Sequence, residues 1–104
     1  MSPLSRQEAV ADIFKALAHP ARLLIIESLS KKSHCVCELK EMVGSDISTV
    51  SKHLSILKSA GLVTDQKHGL QVFYTLKTHC VMNFIGCLEN VVRKQAQEQL
   101  ALMT

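Results

Sequence analysis

The chain has 104 residues, of which 47% are hydrophobic and 20% are charged, a balance typical of a folded globular protein. This length suits one domain with a modest core, so we expect residues 1–104 to form a single domain. A net charge of +3 permits nucleic-acid binding without requiring it. No apolar run approaches the roughly 18 residues that span a bilayer, and residues 1–4 lack the pattern of a secretory signal. We therefore expect a cytoplasmic protein with no membrane partner, whose four cysteines are thiols rather than disulfides.

Two helices are predicted at the start of the chain. Residues 7–17 carry apolar side chains at helical spacing, which predicts an amphipathic helix that ends at His19-Pro20. Pro20 suits the first turn of a second helix, which we place at residues 21–29. Its four consecutive apolar residues, 23–26, cover most of the circumference, so we expect this helix to be largely buried.

A short helix and a capped helix are predicted next. The short helix covers residues 36–43 and ends at Gly44, a residue type common just after a helix. Asp46 is placed to cap the following helix by accepting a hydrogen bond from the backbone N–H of Thr49. This helix is predicted to reach Ala60 with its apolar and polar residues on opposite faces. The predicted apolar face consists of Val50, Leu54 and Leu57.

The rest of the chain predicts a β-hairpin and a long final helix. Residues 62–67 and 71–76 are rich in β-branched and aromatic side chains and are separated by a turn around Gly69. Thr78 is positioned to cap a helix that extends toward Met103. That helix has more apolar residues than one small core can bury: Met82, Phe84, Ile85, Leu88, Val91 and Val92. We therefore expect the first and last helices to form a homodimer interface.

The predicted order of elements is that of a winged helix-turn-helix domain, a mainly α fold with a β-hairpin wing. Within this frame the sequence resembles the arsenic-repressor (ArsR/SmtB) family of metal- and metalloid-responsive transcriptional regulators. The resemblance covers roughly residues 9–76, about two-thirds of the chain, with its blocks in the family's order. These blocks are FKALAHPAR at 14–22, CVCEL at 35–39, STVSKHL at 48–54, GLV at 61–63 and QVFY at 71–74. The resemblance implies a homodimeric repressor that binds double-stranded operator DNA.

The resemblance places the capped helix in the DNA major groove, with the hairpin as a wing on phosphate or the minor groove. The predicted DNA-binding residues are exposed polar or basic side chains: Ser48, Thr49, Ser51, Lys52 and Lys58 on the helix, and Lys67, His68 and Gln71 at the hairpin. The alternatives are a solvated Ser-rich helix face and an ordinary polar turn. Where the family often carries Gln, this chain has Ile47, which could contact a thymine methyl group. We expect His53, at the border of the apolar face, to be structural rather than a base reader.

Cys35 and Cys37 are poorly spaced for a structural disulfide but, as thiolates, well spaced for binding one soft ion. Their alternative role is that of small buried apolar residues. The resemblance favours a ligand role, because metal- and metalloid-sensing members carry thiolates at the start of this helix. The arsenic-sensing pattern often has a third Cys where this chain has Lys40. His34 and His79, each next to a cysteine, are expected to face solvent.

Cys80 and Cys87 are the remaining thiols that could complete a metal site. Seven residues apart on one helix, they are separated by about 10.5 Å along its axis. Two sulfurs bound to one ion lie at most about 4.6 Å apart, so these two cannot chelate it together. Either one of them joins Cys35 and Cys37, or each meets a thiol of the dimer partner. Their alternative role is that of small residues in an apolar interface.

The sequence therefore predicts a DNA-binding transcriptional repressor that leaves its operator when a thiophilic inducer binds. As(III) or Sb(III) is favoured as inducer because the candidate ligands are all sulfur. Two alternatives keep the DNA-binding module, with the thiols sensing Cd²⁺ or Zn²⁺, or else oxidation or persulfide. A thiol oxidoreductase is a distant alternative, because the chain lacks a Cys-x-x-Cys motif and a βαβ pattern. No other catalytic motif is present, so we do not expect an enzyme.

Overall fold

The predicted helices and the hairpin are all present in the structure, a computed structural model that describes residues 3–103. Met1 and Ser2, part of the segment expected to lack a secretory signal, and Thr104 lie outside the described residues. The elements in chain order are α1 (Ser5–Leu17), α2 (Pro20–Lys31), β1 (His34–Cys35), α3 (Val36–Val43), α4 (Ile47–Ser59), β2 (Val63–His68), β3 (Gln71–Leu76) and α5 (Val81–Leu102). The predicted fold class, mainly α with a β-hairpin wing, is confirmed. Within residues 3–103, no helix has both the length and the apolar character that a bilayer-spanning segment needs.

Helix α2 is less buried than its run of apolar residues predicts. Ile25 and Ile26 are fully buried, but Leu23 and Leu24 are 39% and 40% exposed. Leu23 borders an open groove between α2 and α5. The prediction of a largely buried helix is therefore wrong within one protomer, because only one side of α2 packs against the core.

Helices α3 and α4 carry the predicted caps. Gly44 follows α3 with φ +77°, a left-handed conformation that glycine adopts at little cost. Asp46 caps α4, because its Oδ1 accepts the backbone N–H of Thr49 at 2.8 Å. The apolar side of α4 is fully buried as predicted, at Val50, Leu54 and Leu57. These three side chains fix α4 on the core and leave its other side exposed.

Strands β2 and β3 form the predicted antiparallel hairpin. His68 is opposite Gln71, and the turn between them consists of Gly69 and Leu70 alone. Strand β2 is displaced by one residue from the predicted range 62–67. The hairpin therefore ends in a tight two-residue turn, with exposed side chains on both strands.

The short strand β1 was not predicted. It pairs antiparallel with β3, with His34 opposite Tyr74 and Cys35 opposite Phe73. The strand order in the sheet is β1-β3-β2. The segment that begins the Cys-Val-Cys motif is thus joined directly to the hairpin.

Helix α5 has 22 residues and is about 33 Å long. The prediction that Thr78 caps it is wrong. The Thr78 hydroxyl donates instead to the carbonyl oxygen of Gly61 at 3.0 Å. Cys80 occupies the N-cap position and makes no side-chain capping bond within the described part of the chain. Thr78 therefore ties the start of α5 to the turn that follows α4.

Candidate functional site

The N-terminal half of α4 presents the side chains predicted to contact DNA. Ser48, Thr49, Ser51 and Lys52 are all exposed, on the side of the helix away from the core. The Oδ1 of Asp46 accepts the Ser48 hydroxyl at 3.0 Å as well as the backbone N–H of Thr49. Hydrogen bonds from Thr49, and then from Ser48, hold the pKa of the Asp46 carboxyl below its ordinary value. Ser48 therefore has its proton committed to the cap, which leaves its oxygen lone pairs to accept from a ligand.

Lys58 is paired within the chain. Its Nζ lies 2.9 Å from Oδ1 of Asp65, which connects the end of α4 to β2. The hydrogen bond to Asp65 and that residue's negative charge raise the pKa of Lys58. Its predicted role at the DNA backbone stays a prediction, and contact with a phosphate would compete with this ion pair.

The hairpin tip exposes Lys67, His68 and Gln71, the residues predicted to form the wing contacts. The His68 ring packs edge-on against Phe73, with ring centroids 5.7 Å apart. Leu70 is fully exposed at the turn. The sequence predicts Leu70 in the turn, but it is not among the predicted wing contacts.

The thiol segment spans β1 and the first turn of α3. Cys35 is buried and occupies the N-cap position of α3, while Cys37 is exposed. The backbone N–H of Cys35 donates to Oε1 of Glu38 at 3.2 Å, and the Cys35 side chain accepts the Glu38 backbone N–H. This reciprocal arrangement is a capping box, which holds Cys35 against the helix end.

His34 does not face solvent as expected. It is only 4% exposed, and its Nδ1 lies 3.2 Å from Oε2 of Glu38. The hydrogen bond from the backbone of Cys35, followed by that from His34, lowers the pKa of Glu38. His34 is buried because β1 pairs with β3, a contact that the local sequence did not reveal. His79 is exposed, as expected.

The four predicted metal ligands are not brought together in one protomer. Cys80 and Cys87 are exposed on α5, and Cys80 borders a groove between α1 and α5. Among residues 3–103, no three His, Cys, Asp or Glu side chains are grouped so that they could hold one metal ion. Completion of a site around Cys35 and Cys37 would therefore need a movement of the chain or a thiol from a partner.

The α1/α5 face is the apolar surface that these two helices leave exposed. It is formed by Val10, Ile13, Phe14, Phe84, Leu88, Val91 and Val92. The Phe14 and Phe84 rings meet edge-on with centroids 5.4 Å apart, so the two helices form one continuous surface. Grooves in this region are lined mainly by aliphatic and aromatic side chains. A contiguous apolar surface of this kind is typical of a protein–protein interface.

His53 is structural, as expected. It is 8% exposed, and its Nδ1 accepts a hydrogen bond from Nε of Arg22 at 3.1 Å. Burial, followed by the charges of His19 and Arg22, lowers the pKa of His53. The neutral imidazole is therefore the favoured form at this position.

Several known proteins with similar sequences are named as transcriptional regulators. Residues 19–65 match the family described as "Bacterial regulatory protein, arsR family". The chain is 35% identical over 89 residues to an uncharacterized HTH-type transcriptional regulator of Methanocaldococcus jannaschii, a match that covers 85% of this chain and 100% of that protein. It is 36% identical over 78 residues to the HTH-type transcriptional repressor SmtB of Mycobacterium tuberculosis, covering 75% of this chain and 58% of SmtB.

The fold is also shared with solved structures. The homodimeric winged helix-turn-helix DNA-binding domain Mb0332 of Mycobacterium bovis, described as a possible ArsR-family regulator, matches with a TM-score of 0.79 and 26% identity. That match covers 94% of this chain and 93% of the other. The resemblance drawn from the sequence blocks is thus confirmed, and the chain belongs to the arsR family of bacterial regulatory proteins, with a winged helix-turn-helix fold.

Proposed function

We propose that this protein is a transcriptional repressor that binds double-stranded operator DNA and is released when a thiophilic inducer binds its cysteine thiolates. As(III) or Sb(III) is the proposed inducer, because the candidate ligands are all sulfur. The observation that carries the proposal is the position of Cys35 and Cys37 at the start of α3, directly before the DNA-facing helix α4. The protein acts in the cytoplasm and is not an enzyme.

The DNA contacts come from α4 and the hairpin. In a homodimer built on the α1/α5 face, the two α4 helices would lie about 34 Å apart, one turn of DNA. The exposed Lys52 side chain and the Ser51 hydroxyl suit phosphate positioning, while Ser48 can accept a hydrogen bond from a base amino group. Lys67 and His68 extend the basic surface along the wing. The relative SmtB is itself named a repressor, which agrees with this role.

The thiol site supplies the switch. Cys35 is buried within the capping box, so its sulfur can reach an ion only if the first turn of α3 moves. Such a movement would act on α4 through the Gly44 turn and on the wing through β1 and β3. An inducer shifts the protein toward the DNA-free form only if it binds that form more tightly, so DNA must in turn weaken inducer binding.

The third sulfur is supplied by Cys80 or Cys87 on α5. A trivalent metalloid bound by Cys35 and Cys37 alone would lack a ligand, and Lys40 cannot provide a third sulfur. Sensing of Cd²⁺ or Zn²⁺ and sensing of thiol oxidation or persulfide are the alternatives. Both retain the same DNA-binding surface.

The test follows the anisotropy of a fluorescent duplex that the wild-type protein has selected from a random-sequence pool. As(III), Sb(III), Cd²⁺ and Zn²⁺ are titrated into the complex under strictly reducing conditions, and peroxide is titrated separately. We expect As(III) and Sb(III) to release the duplex. A response to peroxide alone would instead support the redox alternative, and a response confined to Cd²⁺ or Zn²⁺ the metal alternative.

Cysteine variants identify the ligands in the same assay. Cys35→Ser and Cys37→Ser should each keep DNA binding and lose release, as should one of Cys80→Ser and Cys87→Ser. Serine is a well-matched replacement at position 35 because it is a favoured N-cap residue. If the Cys35→Ser, Cys37→Ser double variant still leaves the duplex when As(III) is added, the thiol pair is not the sensor.

A further inference from the structure

A polar cluster lies where α1, α2 and α4 meet, away from the thiols. Its centre is the Arg22 guanidinium, whose Nε donates to Nδ1 of His53 on α4 at 3.1 Å. The Nη1 of Arg22 donates to the carbonyl oxygens of Lys15 and Ala16, at 3.3 and 3.1 Å. One side chain of α2 therefore fastens the end of α1 and the middle of the DNA-facing helix.

A second imidazole completes the cluster. The His19 ring lies against that of His53, with centroids 4.5 Å apart. The Nδ1 of His19 accepts the backbone N–H of Ala21 at 3.1 Å and so caps α2. Both rings therefore use Nδ1 as an acceptor, which requires the neutral imidazole. Protonation of His53 would turn Nδ1 into a donor that faces another donor, the Nε–H of Arg22.

The charges around His53 are mainly positive. The positive charge that bears on it is that of Arg22 on α2, with the titratable ring of His19 beside it, and none from α3 or β2 bears on it within the described residues. Lys15 from α1 and Lys52 from α4 line the adjoining cleft of about 490 Å³. Asp12 also lines it, and its carboxylate lies 3.9 Å from the Lys15 ammonium. A second positive charge on His53 would thus meet repulsion with little compensation.

We propose that His53 is a positioning residue for DNA binding: as a neutral acceptor it keeps Arg22 in place and so fixes α4 against α1 and α2. Protonation of His53 breaks this connection, leaves α4 less firmly placed and weakens binding to DNA. The effect is independent of the cysteines. It rests on the DNA-binding role proposed for α4, but not on the thiol sensor.

The pH dependence of DNA binding distinguishes the proposed role of His53 from that of His68 on the wing. A protonated His68 beside a phosphate would strengthen binding as the pH falls, because its positive charge attracts the DNA. Protonation of His53 would instead weaken DNA binding as the pH falls. His53→Asn is the matched variant, because its Oδ1 replaces the acceptor at Nδ1, it does not titrate, and Asn and His have similar helix propensity.

The experiment measures Kd for the selected duplex between pH 7.5 and 5.5 at constant ionic strength. The variants are His53→Asn, His68→Asn as the wing control, and His19→Ser, which keeps a capping oxygen on α2. We expect the wild-type Kd to rise about tenfold on acidification, a coupling of ordinary size. The rise should disappear in His53→Asn and persist in His68→Asn and His19→Ser.

Parallel profiles for the wild type and His53→Asn would overturn the proposal, as would a flat profile in His68→Asn or loss of the effect in His19→Ser alone. If His53→Asn does not fold, ring ¹⁵N NMR of the wild type gives the same answer. We expect Nδ1 of His53 to be unprotonated at pH 7.5 and its titration to follow the loss of affinity. A His53 that stays neutral while affinity falls would exclude the mechanism. Absence of any selected duplex at pH 7.5 would instead reject the proposed DNA-binding function.

Discussion

Helices α4 and α5 use their apolar residues in opposite ways. In α4, Val50, Leu54 and Leu57 are fully buried in the protomer, and much of the opposite side is hydroxylic or basic. In α5, only Val81 is buried, while Phe84 and Leu88 remain 41% and 47% exposed. Helix α4 therefore needs only its own chain for stability and offers a polar surface to a charged partner. Helix α5 leaves apolar area that a second protein surface can cover.

The largest effect is expected from the buried side of α4. Leu54→Ala should lower the free energy of unfolding by about 2–5 kcal/mol, because it removes a fully buried side chain and leaves a cavity. Urea unfolding followed by circular dichroism measures the change. The neighbouring exposed variant Ser55→Ala should stay within about 0.5 kcal/mol of the wild type. If the two variants are equally stable, α4 is not anchored as described.

The next largest effect is expected on the α1/α5 face. Phe84→Glu should raise the dimer dissociation constant about 30-fold or more, since it places a charge where an aromatic anchor contacts Phe14. Sedimentation equilibrium measures it. Leu70→Glu, at a fully exposed apolar residue of the hairpin tip, is the control and should leave the dimer unchanged. If the wild type is a monomer at micromolar concentration, the exposed apolar residues of α5 do not form a dimer interface.

A smaller effect is expected from single charges on the side proposed to face DNA. Lys52→Ala and Lys67→Ala should each weaken binding of the selected duplex. Each should also reduce the slope of log K against log salt concentration by about one, as expected for the loss of one phosphate contact. Anisotropy at several salt concentrations gives both values. Lys94→Ala, on the exposed part of α5, should change neither. An equal loss in Lys94→Ala would move the DNA contact away from α4 and the wing.

The smallest effect is the pH dependence of stability that His53 confers. Its pKa is lowered in the folded protein, chiefly by burial, so the unfolded chain binds a proton at higher pH than the folded one. The free energy of unfolding should therefore fall as the pH drops below the ordinary histidine value of about 6.5, and level off below the lowered pKa. Thermal unfolding at pH 7.5 and 5.5 tests this sign. His53→Asn should show a smaller decrease than the wild type, and an unchanged decrease would contradict the assignment.

The amino-acid sequence by itself determined the helices, the hairpin and the caps at Gly44 and Asp46. Apolar spacing predicted the buried side of α4, Gly44 the end of α3, and Asp46 the start of α4, because each depends on residues no more than a few positions apart. It also placed the candidate DNA-binding residues on exposed surfaces. The cysteine spacing identified Cys35 and Cys37 as a pair, but their different exposure followed from the fold.

Only the tertiary structure decided the contacts between distant segments. The pairing of β1 with β3 buries His34, and the bond from Arg22 to His53 joins residues 31 positions apart. Lys58 forms an ion pair with Asp65 across the turn after α4. The Thr78 hydroxyl donates a hydrogen bond to Gly61 rather than capping α5. Local sequence preferences do not predict such partners, because these hydrogen bonds and ion pairs form only after the apolar core has brought the separate segments together.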